Sequence, residues 1–234
     1  MSDIYDSIIR ELSKPSARDR QRKVGPSELG DLCEYCLAEK LLGIHKEDSN
    51  HSLAPMIGTA FHLYLENVIG LKGYLKETKV TVGTIDGYGD ISGTCDGFDT
   101  TTGHVVDYKV LSKKKIKAFS SATFFDEDRN PEFYSDSRTK LQLKKYFYQM
   151  MLYGLGIENS GHEVNYCSLI LFPRDCTIES VLQASHELCF KYNRQAALNV
   201  LERANQILKW ADKNRDHLED LDSHPGCYYC AFKR

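Results

Sequence analysis

The stretch SGTCDGFDTTTGHVVDYKV, from Ser92 to Val110, reads as two strands joined by a polar turn, with Asp96 on the first and Asp107 on the second. Lys109 follows Asp107 by two positions in the alternating run HVVDYKV, so the two side chains leave the same face of the sheet. Two carboxylates held close repel one another unless a cation sits between them. Their oxygens suit Mg²⁺ or Mn²⁺. A lysine beside such an ion can orient or deprotonate a water and stabilise developing charge. The chemistry that fits is metal-assisted hydrolysis of a phosphodiester. A second acid-x-Lys triplet, Glu77–Lys79 in LKETKV, reads as a solvated strand face. The triplet at Asp107 differs in its apolar lead-in and in the G-x-x-D hairpin before it.

Two helical segments carry further candidates. In MIGTAFHLYLENVIG the apolar stripe is Ile57, Phe61, Tyr64, Leu65 and Val68, which is expected to face the core. His62 and Glu66 lie away from it, one turn apart on a face shared with Gly58. His62 is a candidate metal ligand, and Glu66 a ligand or a group that orients one. In KLQLKKYFYQMMLYGLG, Leu143, Phe147, Met150 and Met151 form the core stripe. Gln142, Tyr146, Gln149 and Tyr153 line the adjacent face, a row of amides and phenols able to position a DNA backbone or the lysine.

The elements that must hold these groups are a mixed set. Helices are expected at 3–13, 26–43 (Ser27 as N-cap, Gly43 as stop) and 55–70. A meander of strands follows at 74–83, 88–99 and 103–111. Residues 112–138 read as irregular, 139–156 as a helix, 163–172 as a buried strand and 178–215 mostly as one long helix. The order predicts an α/β fold, a central mixed sheet flanked by helices. The length, 234 residues, suits a single domain spanning 1–234.

A net charge of -3 indicates no general polyanion-binding surface, so nucleic-acid contact must come from local patches. These are ARDRQRK at 17–23, with Arg20 and Arg22, and SKKKIK at 112–117, with Lys113, Lys114 and Lys115. A solvated face is the default reading of both; the second follows the catalytic strand and could grip phosphates. Phe124, Phe125 and Tyr134 are candidate stacking platforms for single-stranded DNA, while Trp210 is expected to pack. No run approaches a membrane span, and acids occupy the start of MSDIYDSIIRELSK where a signal peptide is basic. A cytoplasmic protein is expected.

Of eight cysteines, four form two C-x-x-C pairs, Cys33 with Cys36 and Cys227 with Cys230. In a reducing compartment thiols or metal ligands are more usual than disulfides. Four thiolates on short spacers suit one structural Zn²⁺ or an iron–sulfur cluster, whose binding energy becomes folding energy. Such a site would join residues 14–45 to 216–234 in a metal-stapled lobe. Cys95, Cys167, Cys176 and Cys189 read as small packing residues in strands, a turn and a helix.

The stretches GTAFHLYLE, GTCDGF, VVDYKV and QMMLYGLG, in that order, resemble the motifs of the PD-(D/E)XK nuclease superfamily, and most closely its RecB/Cas4-like exonuclease branch, phage-encoded members included. The resemblance covers about residues 26 to 232. It implies a restriction-endonuclease-like core and metal-dependent phosphodiester cleavage, commonly exonucleolytic. It implies that His62, Asp96 and Asp107, helped by the Tyr108 carbonyl, bind Mg²⁺ or Mn²⁺. Lys109 would be the catalytic lysine and Gln149 with Tyr153 the last motif, although Gln142 and Tyr146 offer the same spacing. Cas4-type relatives often hold a [4Fe–4S] cluster on one N-terminal and three C-terminal cysteines; here the division is two and two, which favours Zn²⁺. The functional readings are a DNA exonuclease of phage or host recombination, replication or repair, acting on single strands or free ends; a Cas4-like nuclease trimming DNA for CRISPR spacer capture; and a DNA-binding subunit without catalysis.

Overall fold

The computed structural model describes residues 4, 7, 23–44, 53–127, 129–134, 137–227 and 230. The helix expected at 3–13, the basic run with Arg20 and Arg22, and most of the extreme C-terminus lie outside these residues.

Along the chain, α1 (Pro26–Leu29), α2 (Glu34–Leu41) and α3 (Leu53–Val68) precede the meander β1 (Tyr74–Ile85), β2 (Gly89–Asp99) and β3 (His104–Leu111). Then come α4 (Lys113–Ala122), the short strands β4 (Thr123–Phe125) and β5 (Pro131–Phe133), and α5 (Ser137–Asn159). β6 (Tyr166–Pro173), α6 (Val181–Ala184), β7 (His186–Lys191) and α7 (Arg194–Lys213) follow. The main sheet has the order β1-β2-β3-β6-β7; β3 and β6 run parallel and the other neighbours antiparallel. It is the mixed sheet the sequence predicts, with helices on both faces of β3. Gln149 of α5 reaches Asp107, while Phe61 of α3 stacks at 5.0 Å on Phe172, which lies on the opposite face with Tyr108.

The core follows from the strand pattern. Val80, Val82 and Ile85 of β1 and Leu169 and Leu171 of β6 are buried. α5 covers them with Leu143, Met150, Met151 and Leu152, and α7 adds a stripe of Ala197, Val200, Leu201, Ala204, Ile207, Leu208 and Ala211 at helical spacing. Each fully buried large apolar side chain contributes about 1.5–3 kcal/mol.

Several sequence expectations are corrected. The helix expected over 26–43 breaks after Leu29, and Gly25 and Cys33, not Ser27, occupy the N-cap positions. The cause is packing: a Cβ on Gly30 would sit 2.5 Å from the Lys145 carbonyl oxygen of α5, so the chain turns where only glycine fits. Much of the segment expected to be irregular is ordered, as α4, β4 and β5. Ser112 caps α4 by accepting from Lys115 N, and Ile116, Phe119 and Ala122 bury one face of that helix. The single helix expected over 178–215 contains β7, which completes the sheet edge beside β6; Asn193 then caps α7 by accepting from Ala196 N. Cys189 therefore lies in a strand. Finally, the α3 stripe expected to be core is largely exposed at Ile57, Tyr64 and Val68, because the helix turns His62 toward the sheet.

Candidate metal-binding active site

β2 and β3 pair through Asp99–His104, Phe98–Val105 and Gly97–Val106, and the ladder stops there. Asp96 and Asp107 follow where the two strands part, Asp96 meeting His62 of α3 and Asp107 meeting Gln149 of α5. The missing rung is replaced by a side chain: Asp96 Oδ2 accepts the backbone N–H of Tyr108 at 2.7 Å. Gly97 makes room for the crossing, since a Cβ there would lie 1.8 Å from the Tyr74 hydroxyl, which is hydrogen-bonded to the Tyr108 hydroxyl.

Asp107 and Asp96 are 2% and 8% exposed, which is unusual for carboxylates. Asp107 Oδ2 is ion-paired with Lys109, and its Oδ1 accepts from Gln149 Nε2 at 3.0 Å. Burial pushes the Asp107 carboxyl up to about 6 even though the Lys109 ammonium pulls it down. Burial also pulls Lys109 down, but the charges of Asp107 and Asp96 outweigh it and hold the ammonium. Tyr146 lies under that ammonium, 5.5 Å from ring centroid to Nζ, and accepts from Gln142 at 2.9 Å. Gln142, Tyr146 and Gln149 thus all converge on the Asp107–Lys109 pair. Tyr153 is buried one turn further on, against Gly93 of β2, and makes no hydrogen bond to either acid.

His62 enters from α3. Its Nε2 is 2.9 Å from the Tyr108 carbonyl oxygen and its Nδ1 is 3.3 Å from Asp96 Oδ1. Both partners are acceptors, so the ring satisfies both only as an imidazolium. Burial lowers its pKa, the hydrogen bond and charge of Asp96 raise it more, and the net shift is upward. The protonated ring then donates from both nitrogens, to the carbonyl and to the carboxylate. Glu66 is exposed, and its charge helps to raise the Glu77 pKa.

Glu77 is the residue that sequence reasoning missed. Far from a solvated face, it sits opposite Asp96 on β1, between the pairs Lys76–Gly97 and Thr78–Cys95. His62, Glu77 and Asp96 bring their ligand atoms within 4.8 Å of one another. Burial first, and Asp96 next, raise the Glu77 pKa. Glu77 also has φ +46°, a left-handed conformation that costs a non-glycine residue about 1–2 kcal/mol. The set of imidazole, carboxylates and a peptide carbonyl fits a hard divalent ion such as Mg²⁺ or Mn²⁺.

The four cysteines of the C-x-x-C pairs form a second cluster. Sγ–Sγ separations are 3.4 Å for Cys33–Cys230, 3.5 Å for Cys36–Cys230 and 3.6 Å for Cys36–Cys227. A tetrahedral Zn²⁺ with bonds of about 2.3 Å has edges of about 3.8 Å. The hydrogen bond from Cys36 lowers the Cys33 thiol, and the same bond raises Cys36. Asp222 O accepts from Glu34 N at 3.1 Å, so the N-terminal helix and C-terminal segment do meet.

Of the basic and aromatic candidates, Lys113 and Lys114 are exposed, whereas Lys115 is half-buried over the Phe119 ring. Phe124 and Tyr134 are exposed and meet edge-on at 5.5 Å, while Phe125 packs on Phe190. Trp210 packs against the core. No helix among the described residues is long and apolar enough to cross a membrane.

No protein-family model matches the sequence, and no curated protein does. Solved structures share its fold. An alkaline exonuclease from Laribacter hongkongensis superposes with a TM-score of 0.52 and 12% identity over 86% of this chain and 93% of that one. The structure of that exonuclease in complex with dAMP superposes at 0.50, again with 12% identity, 86% and 93% coverage. A phage-related exonuclease from Haemophilus somnus reaches 0.48 with 14% identity over 79% of this chain and 82% of that one.

Proposed function

We propose that this chain is a divalent-metal-dependent deoxyribonuclease that hydrolyses DNA from free ends. The observation that carries the reading is the pairing of Asp107 with Lys109 on one strand, beside Asp96 and His62 gathered around the Tyr108 peptide. The fold supports it, being that of an alkaline exonuclease whose complex holds dAMP, a mononucleotide of the kind end-wise hydrolysis releases.

Asp96, Asp107, the Tyr108 carbonyl and His62 would hold Mg²⁺ or Mn²⁺, which when bound lowers the pKa of a water and neutralises phosphate charge. The chain's own groups do the rest. Asp107 is fixed by Gln149 and by Lys109, so its oxygens have one orientation. Lys109 is an ammonium; it donates to the attacking water or to the phosphate oxygens and stabilises charge that grows in the transition state. Tyr146 and Gln142 keep that ammonium in place. Lys113 and Lys114 begin the helix directly after β3 and are placed to bind backbone phosphates, while Phe124 and Tyr134 offer exposed rings for bases. His62 must lose its bridging proton before it can act as a ligand.

The four cysteines would hold one Zn²⁺ that staples α2 to the C-terminal segment. Sulfurs in mutual contact surround a single ion; a four-iron cube needs its thiolates spread over separate irons.

The test is purified protein with Mg²⁺ or Mn²⁺ on end-labelled linear DNA. Mononucleotide release from ends is expected, with closed circular DNA spared, and with loss of about 10²-fold or more in Lys109→Ala. Wild-type rates in Lys109→Ala would refute the assignment.

A further inference from the structure

β1 carries a carboxylate that the mechanism above does not use. Counted back from the Ile85–Gly89 pair at the turn, Glu77 would fall opposite Gly97 and point away from the acids. A β-bulge between Thr81 and Gly83 shifts the register by one, and a one-residue shift exchanges the faces of a strand. Glu77 therefore falls opposite Asp96, between the paired positions Lys76–Gly97 and Thr78–Cys95. The ladder skips Glu77, whose backbone is left-handed.

The carboxylate is half-buried and makes no hydrogen bond and no ion pair with any described residue. Lys76 beside it donates elsewhere, to the carbonyls of Glu66 and Ile69. Lys109 is occupied by Asp107. What Glu77 does face is another carboxylate and an imidazole, with all three ligand atoms within 4.8 Å. The positive charge nearest these two carboxylates is the single His62 imidazolium, already engaged by Asp96 and the Tyr108 carbonyl, so two anions share one cation.

We infer that Glu77 is an additional ligand of the divalent ion, binding it together with Asp96 and His62. The inference rests on the reading of this site as a divalent-metal centre, and adds a carboxylate from β1 to the acids on β2 and β3. The ligand is a hard divalent cation, Mn²⁺ or Mg²⁺, bound through oxygen.

The experiment is calorimetric titration of Mn²⁺ into the full chain, with wild type, Glu77→Gln and Asp107→Asn compared, and with the melting temperature of each in EDTA. Gln keeps the volume and removes the charge. Glu77→Gln is expected to weaken Mn²⁺ binding by about tenfold or more, while its melting temperature in EDTA stays at or above wild type because a repulsion is gone. Mn²⁺ affinity equal to wild type would overturn the inference. So would a lower melting temperature in EDTA, which would mean that the carboxylate supports the fold. Asp107→Asn separates the two levels of the argument: if it loses Mn²⁺ while Glu77→Gln does not, only Glu77 is wrong; if it too binds like wild type, the metal-centre reading itself has failed.

Discussion

Gln149 donates to Asp107 from α5 at 3.0 Å, and this bond joins the helix to the strand that carries both Asp107 and Lys109. It leaves the carboxylate with a fixed orientation instead of a free rotor. Replacing Gln149 by Met keeps the packing volume and removes the donor. Nuclease kcat/KM is expected to fall by about 10–100-fold with melting temperature little changed, as for other groups that orient a metal ligand. Steady-state assays on end-labelled DNA check this.

The His62–Asp96 contact gives a pH dependence. The imidazole pKa is raised in the folded protein, so its stabilising contribution is full below the unfolded value of about 6.5 and is lost as pH rises through the higher folded value. In EDTA, wild type is expected to melt above His62→Asn at pH 6, with the gap narrowing toward pH 9. With Mn²⁺ present the sign reverses for activity, which rises over the same range as the proton leaves. Parallel melting curves for the two proteins across pH would contradict this.

The elbow between α1 and α2 is held on α5 by the Asp31–Lys145 ion pair at 3.0 Å, whose side chains are 10% and 28% exposed. Burial raises the Asp31 pKa, but Lys145, the Cys33 N–H and the Lys40 charge together outweigh it, and the net shift is down. Lys145→Met removes the cation paired with that carboxylate and is expected to cost on the order of 3 kcal/mol in denaturant unfolding. Gly30→Ala, whose Cβ would meet the Lys145 carbonyl, should destabilise the same elbow.

Much of this was legible in the sequence, and the exceptions have physical causes. The hairpin of Asp96 and Asp107 was readable because period-two alternation survives in HVVDYKV, and the Gln149 row because α5 is long and regular. Glu77 was not, since a bulge is invisible to alternation and moves a residue to the other face. β7 was missed because HELCFK is short and lies between a short helical turn and α7, where its pairing with β6, a long-range event, decides its state. The α3 stripe misled because apolar periodicity says only that one face is apolar; His62 decided which face turned inward.

The cysteine cluster gives a chemical prediction. Purified protein should carry about one equivalent of zinc per chain and show no visible absorption band. Cys36→Ser should lose that zinc and melt lower by roughly 5–10 °C, since about 1 kcal/mol corresponds to about 2–4 °C in a chain of this size. Elemental analysis with thermal melts checks both statements.

The central claim is that the acids of adjacent strands share one divalent ion beside Lys109. Soaking crystals in Mn²⁺ and computing the anomalous difference map addresses it directly. A peak bonded to Asp96, Asp107 and the Tyr108 carbonyl is expected, with the His62 ring turned to meet it. No peak there, in crystals that diffract well and hold Mn²⁺ elsewhere, would contradict it.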